Sequence, residues 1–378
     1  MTDIAKINNQ PYHYWHLEVS SKCSLKCPRC PRTEHPDKFV VTELTLDFVK
    51  NMFTDKILSN TKRVLFCGGE GDPIYAKDFL DIVQFFKNYS KDIQIIITTN
   101  GSYKTTKWWE NLASMLTDVD SVIFSIDGWD NSSNNKYRVN SDYNSIINGI
   151  KTLRANNDLV RILWSTIIFK FNQDKIDDII SIANDAGASV FQLVKSSLFG
   201  SKIEKYIDKE LGYDPLEPVD ISDHSFHDRS YIKLDSYSNT KKRTQSDKEH
   251  IDKVKSLNNQ YLDYFEADVL PGCLLGERAL YVNAQGILFP CSWISHPFIK
   301  RSSPSRKKSV LWKEHLFEKQ KDDFNLHKRS VEEILNSKSW NKIQEGFSCN
   351  KKLFVECEQK CTSASTSARL KSILNIKD

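Results

Sequence analysis

The chain has 378 residues, of which 39% are hydrophobic, 27% charged and 11% aromatic, and its formal net charge is +4. That length supports a substantial core and more than one domain, and the composition is that of a soluble globular protein. The small charge does not by itself imply a nucleic-acid partner, the longest apolar runs are strand-length rather than bilayer-length, and no basic start followed by an apolar core opens the chain; the expectation is a cytoplasmic protein.

From residue 16 to about 197, short apolar runs alternate with longer amphipathic ones. Strands are expected at 16–20, 63–68, 93–100, 121–127, 161–169 and 189–197, and helices at 77–90 and 172–187, the latter between a capping Asn172 and a terminating Gly187. Strands alternating with helices argue for parallel β/α units, with functional residues at the C-terminal strand ends. On the first strand His16, Glu18 and Ser20 alternate with Leu17 and Val19, so a polar inner face is expected. Residues 200–265 are highly polar and read as a linker or lid. Residues 278–293 read as two strands around an Asn/Gly turn, and 300–310 as a basic solvated loop. The expected division is 1–199 for a barrel, 200–267 for the polar segment and 268–378 for a small Cys-rich domain.

The nine cysteines are unevenly placed: three at 23–30, one at 67 and five at 273–361. In a reducing compartment such clusters indicate metal binding or catalysis rather than disulfides. Cys67 reads as a buried strand cysteine. Cys23, Cys27 and Cys30 have the spacing C-x3-C-x2-C, directly after the first strand. Three thiolates fall short of a closed tetrahedral zinc site, but on a four-iron cube they leave one iron open for a small molecule. "GGEGDP" (68–73), "TTNGS" (98–102) and "SIDG" (125–128) follow the next three strands.

Together these motifs resemble the radical S-adenosylmethionine (SAM) superfamily, whose hallmark is C-x3-C-x2-C after the first strand of a partial (β/α)6 TIM-like barrel. The resemblance implies that Cys23, Cys27 and Cys30 hold a [4Fe–4S] cluster whose open iron is chelated by SAM. It also implies that one electron cleaves the sulfonium to a 5′-deoxyadenosyl radical, which takes hydrogen from a substrate. By position, Gly68, Gly69 and Glu70 would meet the methionine amino group, Asn100 matches the family's "TNG", and Ser125 and Asp127 match ribose-binding positions. Arg138 would pair with the methionine carboxylate, since its planar fork suits two oxygens. Two departures stand out. The family commonly has Pro where Gly71 stands, and an apolar residue where Arg29 stands, so adenine packing would fall to Ile167 and Val194. Zinc remains the alternative reading of the triplet.

Cys273 and Cys291 form C-x12-G-x4-C around Gly286, and Cys349, Cys357 and Cys361 form C-x7-C-x3-C. These resemble the Twitch and SPASM extensions, which bind auxiliary four-iron clusters. The resemblance implies a second [4Fe–4S] cluster on Cys273, Cys291, Cys357 and Cys361, with Cys349 to spare; structural zinc is the rival. The implied enzyme takes electrons from a flavodoxin- or ferredoxin-type donor and modifies a peptide or protein. A sugar or alcohol dehydrogenase comes second and RNA or nucleotide modification third, with a non-catalytic zinc or iron–sulfur scaffold as the different-class alternative. No membrane partner is expected, and nucleic acid is not among the expected partners. Glu18, Asp72 and Lys195 are general-base candidates by strand-end position, with membership of structural ion pairs the favoured reading of each.

Overall fold

The computed structural model describes residues 11–195, 209–210, 212–218, 229–234, 278–295 and 320–345. Cys273, Cys349, Cys357, Cys361, most of the polar segment 200–267 and the basic loop 300–310 lie outside the described residues. The chain divides into two compact units, one of Met1–Val19, Thr42–Leu65 and Lys241–Asp378, the other of Ser20–Val41 and Phe66–Thr240.

All six expected strands form: β1 (Tyr14–Leu17), β2 (Arg63–Phe66), β3 (Gln94–Thr99), β4 (Ser121–Ser125), β5 (Arg161–Ile168) and β6 (Val190–Lys195). Three more follow them, β7 (Arg229–Lys233), β8 (Ala279–Val282) and β9 (Leu288–Phe289). In the second unit β3, β4, β5 and β6 pair in parallel and in sequence order, and β7 adds antiparallel to β6. The α/β class with dominant parallel pairing is the one expected from the sequence.

Strand alternation separates two faces in this unit. Ile95 and Ile97 of β3 are fully buried while Gln94, Ile96 and Thr98 are half-buried. The helix Phe79–Tyr89 buries Phe79, Ile82, Val83 and Phe86, the i, i+3, i+4, i+7 stripe of a helix lying on a core. The next helix, Thr106–Met115, is capped by Thr105, which accepts from the Trp108 amide, and buries Trp109, Leu112 and Ala113. Tyr143–Asn156 is capped by Asp142 and packs on it where Gly149 faces Trp109. A Cβ at Gly149 would stand 2.6 Å from Trp109 Nε1, and Trp109 is fully buried. Gly149→Ala is therefore expected to cost about 1–3 kcal/mol through overpacking, read as a lower urea midpoint at unchanged slope.

The helix Ile176–Ala186 ends as expected at Gly187, which adopts the left-handed conformation at φ 95°. Its start differs. Asn172 opens a 3-10 turn, Gln173–Lys175, and makes no side-chain cap; its amide is committed to the strand ends instead.

In the first unit β1 pairs in parallel with β8, and β8 turns into antiparallel β9. The expected hairpin is present. Asn283 Oδ1 accepts from the Gln285 and Ile287 amides, and Gly286 takes φ 74°, where a Cβ would meet His327 Nε2 at 2.7 Å. Cys291 follows β9 and is half-buried. Ser330 and Glu333 form a reciprocal capping box on Val331–Leu335. Among the described residues no helix is long and apolar enough to cross a membrane.

Candidate active site

The site lies in the second unit, at the C-terminal ends of its strands and in the segment 20–41. Cys27 is 9% exposed and packs with Leu25, Tyr137, Phe169 and Leu216; Cys23 and Cys30 are half-buried against the same cluster. The turn between the second and third cysteines is tight: the Cys30 amide donates to the Cys27 carbonyl at 3.2 Å, and Cys30 opens the short helix Pro31–Glu34. Arg29, the residue expected to be apolar, sits at φ 65°, a left-handed conformation that costs a non-glycine residue free energy. Its Nη1 lies 2.7 Å from Glu34 Oε1. Arg29 thus ties the turn back to the helix behind the cysteines, a use that pattern alone does not reveal.

Burial pushes the Cys23 thiol up to about 12, with the Asp72 charge adding to it, and the Cys27 thiol up to about 11 against the pull of Arg138. Without a cation these sulfurs stay protonated at neutral pH. Bound iron reverses that balance by coordinating the thiolate and releasing the proton. Among the described residues no three His, Cys, Asp or Glu side chains close on a single-ion site. Three thiols around one apolar pocket fit a [4Fe–4S] cube, which binds each thiolate on a different iron and is held by Cys ligands.

The glycine-rich loop after β2 is pressed against the chain leading into the cysteines. A Cβ at Gly71 would lie 2.2 Å from the Ser20 carbonyl oxygen, and one at Gly68 would lie 2.3 Å from the Gly71 carbonyl oxygen. No side chain fits at 71, which accounts for Gly where the family commonly has Pro. The Asp72 amide donates to the Lys22 carbonyl at 2.8 Å, fastening this loop to the cysteine segment. Gly69 and Glu70 are half-buried between these anchors.

Asp72, a general-base candidate, is 4% exposed and its oxygens are fully engaged. Oδ1 accepts from Thr99 Oγ1 at 2.9 Å and the Ile74 amide at 3.2 Å; Oδ2 accepts from the Asn100 amide at 2.6 Å and Asn100 Nδ2 at 2.5 Å. Burial raises its pKa to about 6 against those bonds. A carboxylate so held is an anchor, not a mobile proton acceptor. Glu18 is 1% exposed in the first unit, 3.6 Å from His16, and Lys195 is half-buried at the end of β6.

Ser125 ends β4, half-buried and in register with Ser165 of β5. Asp127 departs from the expectation of a ribose contact. It is fully buried, its Oδ1 accepts from the Ile167 amide at 2.5 Å, and its Oδ2 is 2.5 Å from Arg138 Nε. With both oxygens committed, Asp127 holds Arg138 rather than presenting itself to a ligand. Burial opposes the Arg138 charge, but Asp127, Tyr137 and Cys27 together more than offset it and keep the guanidinium above its ordinary range. The Arg138 charge also acts on the Cys27 thiol, opposing the rise that burial causes, so the guanidinium lies within electrostatic reach of the cysteine cluster. Ile167 and Val194 are register partners on β5 and β6, both half-buried.

Sequence reasoning missed several supporting residues. Asn172 Nδ2 donates to the Asp127 and Ile167 carbonyls at 2.8 and 2.9 Å, clasping the ends of β4 and β5. Asn134 Oδ1 accepts from the Asp127 and Gly128 amides. Tyr75 donates to the Ser102 carbonyl at 2.8 Å and shares a 2.7 Å bond with Ser24, beside Cys23. A polar row also crosses β5, β6 and β7: Ser165 Oγ donates to Gln192 Oε1 at 2.7 Å, and Gln192 Nε2, on a buried side chain, donates to Tyr231 at 2.6 Å. The legible signal for that row was two polar residues, Ser165 and Gln192, inside otherwise apolar strands.

A family model described as the radical SAM superfamily matches residues 17–186. Those residues form a radical SAM superfamily domain. Curated relatives include a tungsten-containing aldehyde ferredoxin oxidoreductase cofactor-modifying protein of Pyrococcus furiosus, 28% identical over 30% of this chain and 30% of that protein. A GTP 3',8-cyclase of Pasteurella multocida is 31% identical over 29% of this chain and 34% of its own length. The chain thus spans about a third of the length of these relatives. Among solved structures, Streptococcus suis SuiB bound to S-adenosylmethionine is 14% identical, with 80% of this chain and 64% of that one covered and a TM-score of 0.49. Native anSMEcpe with bound AdoMet is 12% identical, with 97% of this chain and 99% of that one covered and a TM-score of 0.49. A radical SAM domain implies S-adenosylmethionine and a [4Fe–4S] cluster, and the thiol pocket described above fits that cluster.

Proposed function

We propose that the chain is a radical SAM enzyme that modifies a peptide or protein. Cys23, Cys27 and Cys30 would hold the cluster, and Arg138, steadied by Asp127, would take the methionine carboxylate in its fork. Gly68, Gly69 and Glu70 would meet the amino group, Ser125 the ribose, and Ile167 with Val194 the adenine. When bound, the cluster and SAM supply one-electron cleavage of the sulfonium and removal of a hydrogen atom from the substrate. The observation that carries this reading is the Arg138 guanidinium, paired with Asp127 and within electrostatic reach of Cys27, beside three cysteines on one apolar cluster. A second cluster on Cys273, Cys291, Cys357 and Cys361, with Cys349 in reserve, would accept an electron from the substrate. A flavodoxin- or ferredoxin-type protein would supply the first one.

The choice of a peptide rests on the spacing of Cys273, Cys291, Cys349, Cys357 and Cys361, which resembles extensions carried by peptide-modifying enzymes. The row Ser165–Gln192–Tyr231 is uncharged and bonded within itself, so it offers no Arg or Lys to the charge of a nucleoside triphosphate. The test uses anaerobically reconstituted protein, SAM and a strong reductant, with 5′-deoxyadenosine as the readout. A mixture of synthetic peptides is expected to raise its formation above background while GTP and free sugars or alcohols leave it unchanged. Stimulation by GTP, or by the sugars and alcohols alone, would overturn the peptide assignment and favour the corresponding small molecule.

A further inference from the structure

Both hydrogens and the oxygen of the Asn100 side-chain amide have partners. Its Oδ1 accepts from the Ser102 amide at 2.9 Å. Its Nδ2 carries two hydrogens and has two acceptors, Asp72 Oδ2 at 2.5 Å and Cys23 Sγ at 3.6 Å. The reverse orientation would set Oδ1 against a carboxylate and point an NH2 at the Ser102 amide, so the surrounding network selects this one. Asn100 is 6% exposed and Asp72 4% exposed, with Thr99 Oγ1 and the Ile74 and Asn100 amides fixing the carboxylate. The amide therefore cannot turn away from the sulfur without breaking a buried network.

The three cysteine sulfurs are not equivalent in this respect. Cys23 accepts from the Leu25 amide at 3.4 Å as well as from Asn100, and Cys27 faces Arg138. Hydrogen bonds to the sulfurs of an iron–sulfur cluster are among the factors that set its reduction potential. A donor draws electron density from the thiolate, so the more negative reduced state gains more than the oxidised one.

We infer that Asn100, held in orientation by Asp72, is a positioning residue that donates an N–H···S hydrogen bond to the Cys23 ligand and raises the reduction potential of the SAM-binding cluster. This rests on the cluster assignment proposed above. It also gives Asp72 a purpose other than proton transfer: the carboxylate serves the neutral amide that faces the sulfur.

The experiment is an EPR-monitored redox titration of the reconstituted full chain, following the signal that changes when SAM is added. Asn100→Leu keeps the approximate shape and removes the donors; Asn100→Ala removes the side chain beyond Cβ. Both are expected to shift the midpoint to more negative potential while iron content is retained. A midpoint unchanged in both overturns the inference. Should neither variant retain iron, wild-type protein carrying isotopically labelled asparagine decides the matter. The reduced cluster is expected to show hyperfine coupling to a labelled side-chain nitrogen, and no coupling overturns the inference. If wild type and the Cys23→Ala, Cys27→Ala, Cys30→Ala chain bind equal iron, the cluster assignment itself falls, which the iron analysis distinguishes from a failure confined to Asn100.

Discussion

Replacing Arg138 by methionine is expected to destabilise the folded chain by about 3–5 kcal/mol, because it strands a buried carboxylate. Asp127 is fully buried and Arg138 is its only cationic contact among the described residues. The Ile167 amide satisfies one carboxylate oxygen, but a backbone dipole does not neutralise a charge. The paired substitution Arg138→Met with Asp127→Leu removes both charges and is expected to recover much of the loss. Buried ion pairs often resemble hydrophobic replacements in net stability while half-pairs do not. Urea denaturation of the two single variants and the double variant measures the coupling, provided the slope is unchanged. A loss below about 1 kcal/mol in Arg138→Met, the range of a surface pair, would mean that the pair is solvated. The same variant separates the two roles of Arg138. If the double variant folds well yet binds SAM weakly, the guanidinium is needed for the ligand and not only for the fold.

What was legible in the sequence was mostly what periodicity and spacing encode. The six strands were visible because their apolar runs are short and bounded by turn residues, and the observed limits differ from the expected ones by only a few residues. The helix end at Gly187 was legible because a left-handed cap favours glycine. The cysteine segment and the loops after β2, β3 and β4 were legible because each follows a strand end, where β/α units gather their functional groups.

What escaped was who holds whom. Asp127 looked like a ligand contact, but a fully buried acid near an arginine is driven to pair with it, and no spacing reveals burial. Asn172 looked like a helix cap, yet its amide bridges two strand ends, one of them 45 positions away in the chain. Arg29 looked misplaced for adenine packing; it closes the cysteine turn from a left-handed backbone position. Each of these is decided by polar satisfaction in a folded setting rather than by local propensity.

The largest effect on activity is expected from the cysteines. Iron–sulfur ligation needs thiolate donors, and alanine supplies none, so on the proposed assignment loss of any one of Cys23, Cys27 and Cys30 would open a second iron to solvent or lose the cluster altogether. Asn100, Arg138 and the glycine loop would then surround an empty pocket, and orientation without the electron source cleaves nothing. Cys291, a ligand of the proposed second cluster, lies in the other compact unit, so on that proposal substitution of the triplet would leave the second cluster in place.

The most direct measurement is therefore 5′-deoxyadenosine formation by the full chain, reconstituted anaerobically with iron and sulfide and supplied with SAM and a strong reductant. Wild type is expected to form 5′-deoxyadenosine and methionine. The chain with Cys23, Cys27 and Cys30 all replaced by alanine is expected to form neither while keeping the absorbance of a second cluster. Cleavage that survives the triple substitution, or a wild-type chain that binds iron at these residues and forms no 5′-deoxyadenosine, would contradict the assignment of the triplet as the site of SAM cleavage.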